Sequence, residues 1–349
     1  MATLRTADFD YPLPERLIAR RPAARRDGSR LLVVPRDGGA FSDRRFAELP
    51  RLLAPGDALV LNDTRVFPAR LLGRKPTGAR VEVFLLRPLG NGSGEAWRWQ
   101  ALVRPGGKLK PGRRVLVGED LEIEVLGSTP EGGRIVRLQG DGDPWELIER
   151  HGRVPLPPYI GRESDERDGE RYQTVYARCR GSVAAPTAGL HFTRSLLRAV
   201  RRSGVRLVRV TLHVGLGTFR PVEAERPEDH RLDAEPYTIL EDAARELNTV
   251  REEGGRIWAV GTTACRLLET VADAEGRFQA AAGRTDLFIY PPYRFRAVDG
   301  LITNFHLPRS SPLMLVAAFA GPDRVARAYE HAVDRGYRFY SYGDAMLLT

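Results

Sequence analysis

Pro55-Gly56-Asp57-Ala58-Leu59-Val60-Leu61-Asn62-Asp63-Thr64-Arg65 is the stretch on which the fold class turns. A Pro-Gly-Asp turn leads into four apolar residues in a row, and the run ends abruptly in Asn-Asp-Thr-Arg. A strand with one wet face alternates apolar and polar residues. An unbroken apolar run of this kind belongs to a strand covered on both faces, as in an α/β sheet. The polar cluster stands where that strand emerges.

Downstream, from about 68 to 140, the texture changes. Short alternating runs recur between Gly and Pro turns: Arg80 to Leu86, Trp97 to Val103, Arg114 to Val117, Leu121 to Val125 and Arg134 to Leu138. Five such strands with no helical period predict a small antiparallel sheet or barrel. Gly90-Asn91-Gly92-Ser93-Gly94 reads as a flexible loop within it. A helix is expected over Glu146 to Arg150. Val154-Pro155-Leu156-Pro157-Pro158-Tyr159-Ile160 must then be extended, because residues before proline avoid the α region. The charged residues 161–171 read as an exposed loop.

Helix and strand alternate in the remainder. Thr193 is placed to cap a helix running to about Ser203, with Leu196, Leu197 and Val200 on one face. Val208, Val210, Leu212 and Val214 line one face of the next strand, and Arg209, Thr211 and His213 the other. Ile257 to Val260 is a second buried strand. Leu287 to Tyr290 and Leu301 to Thr303 read as short strands, and Pro312 to Ala320 as a buried helix. The expected fold is therefore α/β, with a largely parallel sheet. The main α/β domain is expected to be discontinuous (1–65 and 157–349), with an antiparallel β-barrel-like domain (66–156) inserted.

At 349 residues the chain exceeds one typical core, consistent with two domains. Lys and Arg number 54 against 45 Asp and Glu, a net charge of +9. The excess is clustered: Arg194, Arg198, Arg201, Arg202, Arg206 and Arg209 run without an acid among them. Arg16, Arg20, Arg21, Arg25, Arg26 and Arg30 form a second group, and Arg104, Lys108, Lys110, Arg113 and Arg114 a third. Either a polyanionic partner or a general preference for arginine accounts for this. No apolar run reaches the roughly 20 residues that span a bilayer, and Met1 to Asp10 carries two acids instead of a signal-peptide core, so a cytoplasmic protein is expected. Cys179 and Cys265 make neither a zinc quartet nor a disulfide framework.

Gly181-Ser182-Val183-Ala184-Ala185-Pro186-Thr187-Ala188-Gly189-Leu190-His191-Phe192-Thr193 is small, rigid and uncharged apart from its histidine. Such a stretch suits close approach of a ligand to backbone N–H groups. Several predicted strands also end in polar clusters: Asn62-Asp63-Thr64, His213-Val214-Gly215-Leu216-Gly217-Thr218-Phe219, Gly261-Thr262-Thr263 and Thr303-Asn304-Phe305-His306. In an open α/β sheet those ends form the ligand crevice. His191, His213 and His306 read either as structural hydrogen-bonders or as functional groups. His230 with Asp233 and Glu235 has a metal-like composition, but no metal site is expected. Asp344, between Tyr340, Tyr342 and the C-terminus, either cradles a cationic or heteroaromatic ligand or packs a terminal turn. There is no Gly-x-Gly-x-x-Gly opening a helix, no P-loop and no Gly-x-Ser-x-Gly, which removes most kinase, dehydrogenase and serine-hydrolase readings.

Eight of these segments resemble one family in order and along essentially the whole chain: Phe9 to Pro14, Leu61 to Leu71, Val154 to Ile160, Gly181 to Thr193, Thr211 to Phe219, Ala259 to Thr263, Leu301 to Pro308 and Tyr337 to Asp344. The family is that of the S-adenosylmethionine:tRNA ribosyltransferase-isomerases of queuosine biosynthesis. The resemblance implies an α/β domain with an inserted β-barrel. It also implies that the ribosyl part of the co-substrate S-adenosyl-L-methionine moves onto 7-aminomethyl-7-deazaguanine at the tRNA wobble position. Isomerisation gives epoxyqueuosine, and adenine and methionine leave. Three departures stand out: Asp233 where the family tends to have a second histidine, Pro292 in place of glycine, and Ser311-Pro312 in place of Thr-Leu.

A sulfonium acidifies the adjacent 5′ carbon, so this chemistry needs a general base, and histidine suits it near neutral pH. On this reading His191 or His213 is the base, and Asp63 or Glu235 handles an ammonium or a departing proton. Substrate binding is expected at Asn62, Thr64 and Arg65, along Ala185, Pro186, Thr187, Ala188 and Gly189, and at Gly215, Gly217, Thr218 and Phe219. It is expected also at Gly261, Thr262 and Thr263, at Thr303, Asn304 and His306, and at Tyr340, Tyr342 and Asp344. Arg194, Arg198, Arg201 and Arg202 are expected to meet the tRNA anticodon loop, with the protein a monomer. The alternatives are another S-adenosylmethionine-dependent RNA-modifying enzyme, such as a methyltransferase, and a non-catalytic RNA-binding protein.

Overall fold

The structure, a computed structural model, describes residues 4–90, 97–130, 132–215, 217 and 221–349. The apolar run Ala58 to Leu61 lies in the strand Ala58–Asn62, buried along its whole length. Ala58 and Val60 pack into one apolar cluster and Leu59 and Leu61 into another, on opposite faces of the sheet. Among the described residues this sheet has nine strands, in the order Ala281–Thr285, Glu235–Ile239, Arg206–Leu212, Ala58–Asn62, Ile257–Val260, Gly300–Asn304, Ala345–Leu348, Arg30–Val34 and Ser42–Arg45.

The four central strands, from Arg206–Leu212 to Gly300–Asn304, are parallel. The sheet is more mixed than the alternation of helix and strand predicts. Ala345–Leu348 runs antiparallel to Gly300–Asn304, and both outer pairs at the far edges are antiparallel as well. Helix–strand alternation does not specify direction. The two consecutive helices Ser311–Ala320 and Pro322–Asp334 bring the chain back so that the last strand enters from the opposite end. Leu287 to Tyr290 is not a strand; the strand lies earlier, at Ala281–Thr285. The Leu287 carbonyl instead accepts from Arg266 Nε at 2.9 Å.

Residues from Arg70 to Gly140 form a separate sheet around a second apolar cluster that includes Phe67, Trp99, Ile123 and Val136. Among the described residues it has six barrel strands, one more than the alternating pattern predicts, and the extra one is Arg70–Arg74. Pairing of Arg74 with Leu116 closes the ring, and Gly152–Arg153 adds a short edge piece. Gly73 makes closure possible: a Cβ there would lie 2.5 Å from the Leu116 carbonyl oxygen. Of the predicted loop at 90–94, positions 91–94 lie outside the described residues.

Capping chemistry sets the helix starts. Asp143 caps Pro144–His151, Thr193 caps Arg194–Arg202 and Ser310 caps Ser311–Ala320. Residues 161–171 are not simply an exposed loop. Asp165 caps the short helix Glu166–Arg171, and the buried Asp168 takes Arg162 Nη1 at 2.6 Å and the Tyr342 hydroxyl at 2.8 Å. Among the described residues, no helix is long and apolar enough to cross a membrane.

Candidate active site

The carboxyl ends of Ala58–Asn62, Ile257–Val260 and Gly300–Asn304 lie at one edge of the large sheet, where α/β folds place their ligands. A cleft opens there. Ala185, Pro186, Thr187 and Ala188 form one wall; Gly261, Thr262 and Thr263 a second; Thr303, Asn304 and His306 a third; Tyr340 a fourth. These segments, far apart in the chain, are brought to one cavity.

The Ala185–Ala188 wall is rigid because Pro186 leads into the short 3₁₀ helix Thr187–His191. Gly189 beneath it leaves room for the Tyr176 hydroxyl, since a Cβ would fall 2.1 Å from it and Tyr176 would have to shift. Gly261 adopts φ +89 and opens the helix Thr262–Val271 with no side-chain cap. The first N–H groups and the positive end of that helix dipole therefore face the cleft. Tyr340 holds φ +73, a left-handed conformation that non-glycine residues seldom adopt and that clusters at functional sites. Its ring lies 4.5 Å from that of Tyr159.

His191 is buried and His306 half-buried, and the two take opposite places. His306 is on the cleft wall, its Nε2 2.6 Å from Thr303 Oγ1, and burial pushes its pKa down to about 3. His191 lies behind Asn304, stacked on Phe46 with ring centroids 4.9 Å apart. Its Nδ1 is 2.7 Å from Ser29 Oγ and its Nε2 3.3 Å from Asn304 Nδ2. Burial pushes it too to about 3, aided by the positive charge of Arg338.

His213 and Asp63 sit at the same end of the sheet but are not among the cleft-lining residues. His213 Nδ1 meets Thr64 Oγ1 at 2.8 Å, and its ring packs on Gly181, where a Cβ would come within 2.7 Å of it. Burial lowers its pKa, with Asp63 opposing. Asp63 is buried; Oδ1 accepts from Thr211 Oγ1 at 2.6 Å, and Oδ2 faces Arg178 Nη2 at 3.1 Å. Asn62 is saturated: its amide donates to Leu212 O and Thr263 Oγ1, and its oxygen accepts from the N–H groups of Thr64 and Leu212. Arg65 is exposed and faces Glu149 at 3.6 Å.

Glu235 is buried in an ion pair with Arg266, and its other oxygen accepts from Gly215 N at 2.7 Å. Gly217 lies against Asp233. Thr218 and Phe219 fall outside the described residues. Asp344 is not on the cleft wall: its oxygens accept from the backbone N–H groups of Arg30 and Arg338, both at 2.9 Å. Among the described residues, no group of three or more His, Cys, Asp or Glu side chains is arranged to hold a metal ion.

Arg194, Arg198, Arg201 and Arg202 are exposed on one helix, without an ion pair among the described residues. The second arginine group is largely satisfied within the protein: Arg20, Arg21, Arg25 and Arg30 meet Glu15, Asp165, Asp27 and Asp43, and Arg26 donates to carbonyls. In the third group, the side chain of Lys108 lies outside the described residues.

The sequence reading did not single out Tyr159, Val214, Phe305, Leu307, Ser310, Pro312 and Ser341, which also line the cleft. Apolar wall residues carry no chemical signature of their own. Tyr159 had one available signal, a lone aromatic ring in a proline-rich linker.

The family model described as queuosine biosynthesis protein matches residues 6–348. A protein of Symbiobacterium thermophilum named S-adenosylmethionine:tRNA ribosyltransferase-isomerase is 54% identical over 347 residues, 99% of this chain and 100% of the relative. One of the same name from Moorella thermoacetica is 53% identical over 348 residues, again 99% and 100%. The crystal structure of S-adenosylmethionine tRNA ribosyltransferase from Thermotoga maritima shares 41% identity, covering 98% of this chain and 100% of that one, with a TM-score of 0.56. Similarity of this extent at both ends of the chain leaves one conclusion: the chain belongs to the queuosine biosynthesis protein family.

Proposed function

We propose that this protein is a tRNA-modifying S-adenosylmethionine:tRNA ribosyltransferase-isomerase. It moves the ribosyl part of S-adenosyl-L-methionine onto 7-aminomethyl-7-deazaguanine at the wobble position, giving epoxyqueuosine with release of adenine and methionine. The observation that carries the reading is identity above 50%, end to end, with relatives bearing that name. The cleft agrees with it in kind: small backbone-rich walls, an uncapped helix start and two tyrosine rings suit a nucleoside.

In this reading the co-substrate lies between Ala185–Ala188, Gly261–Thr263 and Thr303–Asn304, with Tyr340 beside it. His213, next in the chain to the cleft-lining Val214 and with its pKa lowered by burial, is the stronger candidate base. His191 is engaged at both ring nitrogens and has no face on the cleft. Asp63 and Glu235 act by holding Thr211, Gly215 and Arg266 in place. The unpaired arginines of the Arg194–Arg202 helix meet phosphates of the anticodon loop, whose single-stranded wobble base enters a pocket without opening a duplex. Residues 66–156 form the inserted barrel unit. The protein works in the cytoplasm as a monomer and without a metal.

Incubation with S-adenosylmethionine and tRNA carrying 7-aminomethyl-7-deazaguanine tests the function. Free adenine and methionine are the expected products. S-adenosylhomocysteine would mark a methyltransferase, and no turnover with tight tRNA binding a non-catalytic RNA-binding protein.

A further inference from the structure

Ser29, His191 and Asn304 form a chain of buried polar groups with one direction. Asn304 Nδ2 lies 2.9 Å from the Tyr340 carbonyl oxygen, an acceptor that can pair with the amide nitrogen and not with the amide oxygen. The amide is therefore oriented with its nitrogen toward Tyr340. Its second N–H faces His191 Nε2 at 3.3 Å, so that ring nitrogen carries the lone pair. The imidazole proton is then on Nδ1, donated to Ser29 Oγ at 2.7 Å, and the Ser29 hydroxyl points to the Arg26 carbonyl at 3.4 Å. Every donor in the chain is used. One acceptor is left over: Asn304 Oδ1, buried and without a partner among the described residues. Asn304 is 1% exposed and stands on the cleft wall with Tyr340. A buried acceptor without a donor costs free energy that a ligand can recover.

We propose that Asn304 Oδ1 receives the exocyclic amino group of the adenine of S-adenosylmethionine, and that Ser29 and His191 are positioning residues that lock it as an acceptor. The assignment rests on the functional reading above. Two features of the wall select this donor. Among the described residues lining the cleft none is Asp, Glu, Lys or Arg, so an ammonium would be desolvated there without a counter-charge from them. The rings of Tyr159 and Tyr340, tilted 40° to one another with centroids 4.5 Å apart, give a heteroaromatic base an aromatic wall to lie against. The lock also requires a neutral His191, because a proton on Nε2 would face the Asn304 N–H. Burial secures that state at physiological pH.

The test compares S-adenosylmethionine with S-inosyl-L-methionine, in which oxygen replaces the amino group, and with the 2′-deoxyribose analogue. Equilibrium binding and steady-state turnover are measured for the unaltered protein, Asn304→Ala and His191→Gln. The unaltered protein is expected to disfavour the inosyl compound by roughly tenfold or more, in binding and KM rather than kcat. Asn304→Ala should lose that preference by weakening only S-adenosylmethionine. His191→Gln, out of reach of the ligand, should lose part of it. Equal binding of the two compounds by the unaltered protein overturns the proposal without need of a variant. So does an undiminished preference in folded Asn304→Ala, or a loss confined to the deoxyribose comparison, which would assign Oδ1 to a ribose hydroxyl. Release of adenine and methionine without base discrimination leaves the function standing and this proposal refuted. Failure to bind S-adenosylmethionine at all refutes both.

Discussion

Glu235 Oε2 and Arg266 Nη1 lie 2.5 Å apart, and both side chains are buried. The pair ties the edge strand Glu235–Ile239 to the helix Thr262–Val271, whose first turn forms part of the cleft. Arg266 Nε also holds the Leu287 carbonyl, and Glu235 Oε1 holds Gly215 N. Removing one partner leaves a buried charge uncompensated. Glu235→Gln is expected to cost about 3–5 kcal/mol, the range for breaking a buried pair. Chemical denaturation measures it. A loss below about 1 kcal/mol would mean that the pair is solvated in solution.

Closure of the barrel depends on the missing side chain at Gly73, where Val115 and Val117 also crowd the Cβ position. Gly73→Val is expected to destabilise the protein by about 1–3 kcal/mol, as overpacking does. Thermal unfolding reads the effect. An unchanged midpoint would show that Arg74 and Leu116 do not pair.

Stability should fall on mild acidification. His191 and His306 are both held near 3, against 6.5 for a free imidazole. Between those values the unfolded chain binds protons that the folded chain does not. Stability is therefore fully present above pH 6.5 and declines as pH drops toward 3. Each group contributes about 1.4 kcal/mol per pH unit within that window. Asn in place of both histidines should flatten the slope of unfolding free energy between pH 6 and 4; a slope unchanged by the substitutions removes them as its cause.

Salt should weaken tRNA binding, by about 0.7 log units per log unit of salt for each single-strand phosphate met. Replacing Arg198, Arg201 and Arg202 with Ala should reduce that slope by about 2 if each meets one phosphate. Filter binding at several salt concentrations checks it. A slope equal to that of the unaltered protein would move the tRNA to another face.

His213→Ala is expected to slow single-turnover product formation by about 10² or more, the contribution of a positioned general base. tRNA affinity should stay within about threefold, since the side chain meets Thr64 and Gly181 inside the protein. A near-normal rate would leave His213 with a structural role only.

Much of the architecture is local and was readable. The Ala58–Leu61 run is covered on both faces because nothing in it tolerates water, and Thr193 caps the helix it precedes. The strand Arg70–Arg74 was not readable, because its period is broken by Gly73, which is there for a clash with Leu116 that only closure creates. The helix Glu166–Arg171 had a signal in the Asp165–Asp168 spacing, masked by its uniform charge. Tyr340 was singled out for its chemistry, whereas its left-handed backbone follows from the turn around it.

The α/β class, the presence of a β-rich insert and the collection of small residues at strand ends were legible in the sequence, through patterns a few residues long. Which polar groups remain free at the cleft was decided by tertiary structure. Ser29 and His191 are 162 positions apart, and His191 and Asn304 113. A buried amide or imidazole takes its orientation from partners across such distances, because inside a protein each donor must find an acceptor that water would otherwise supply.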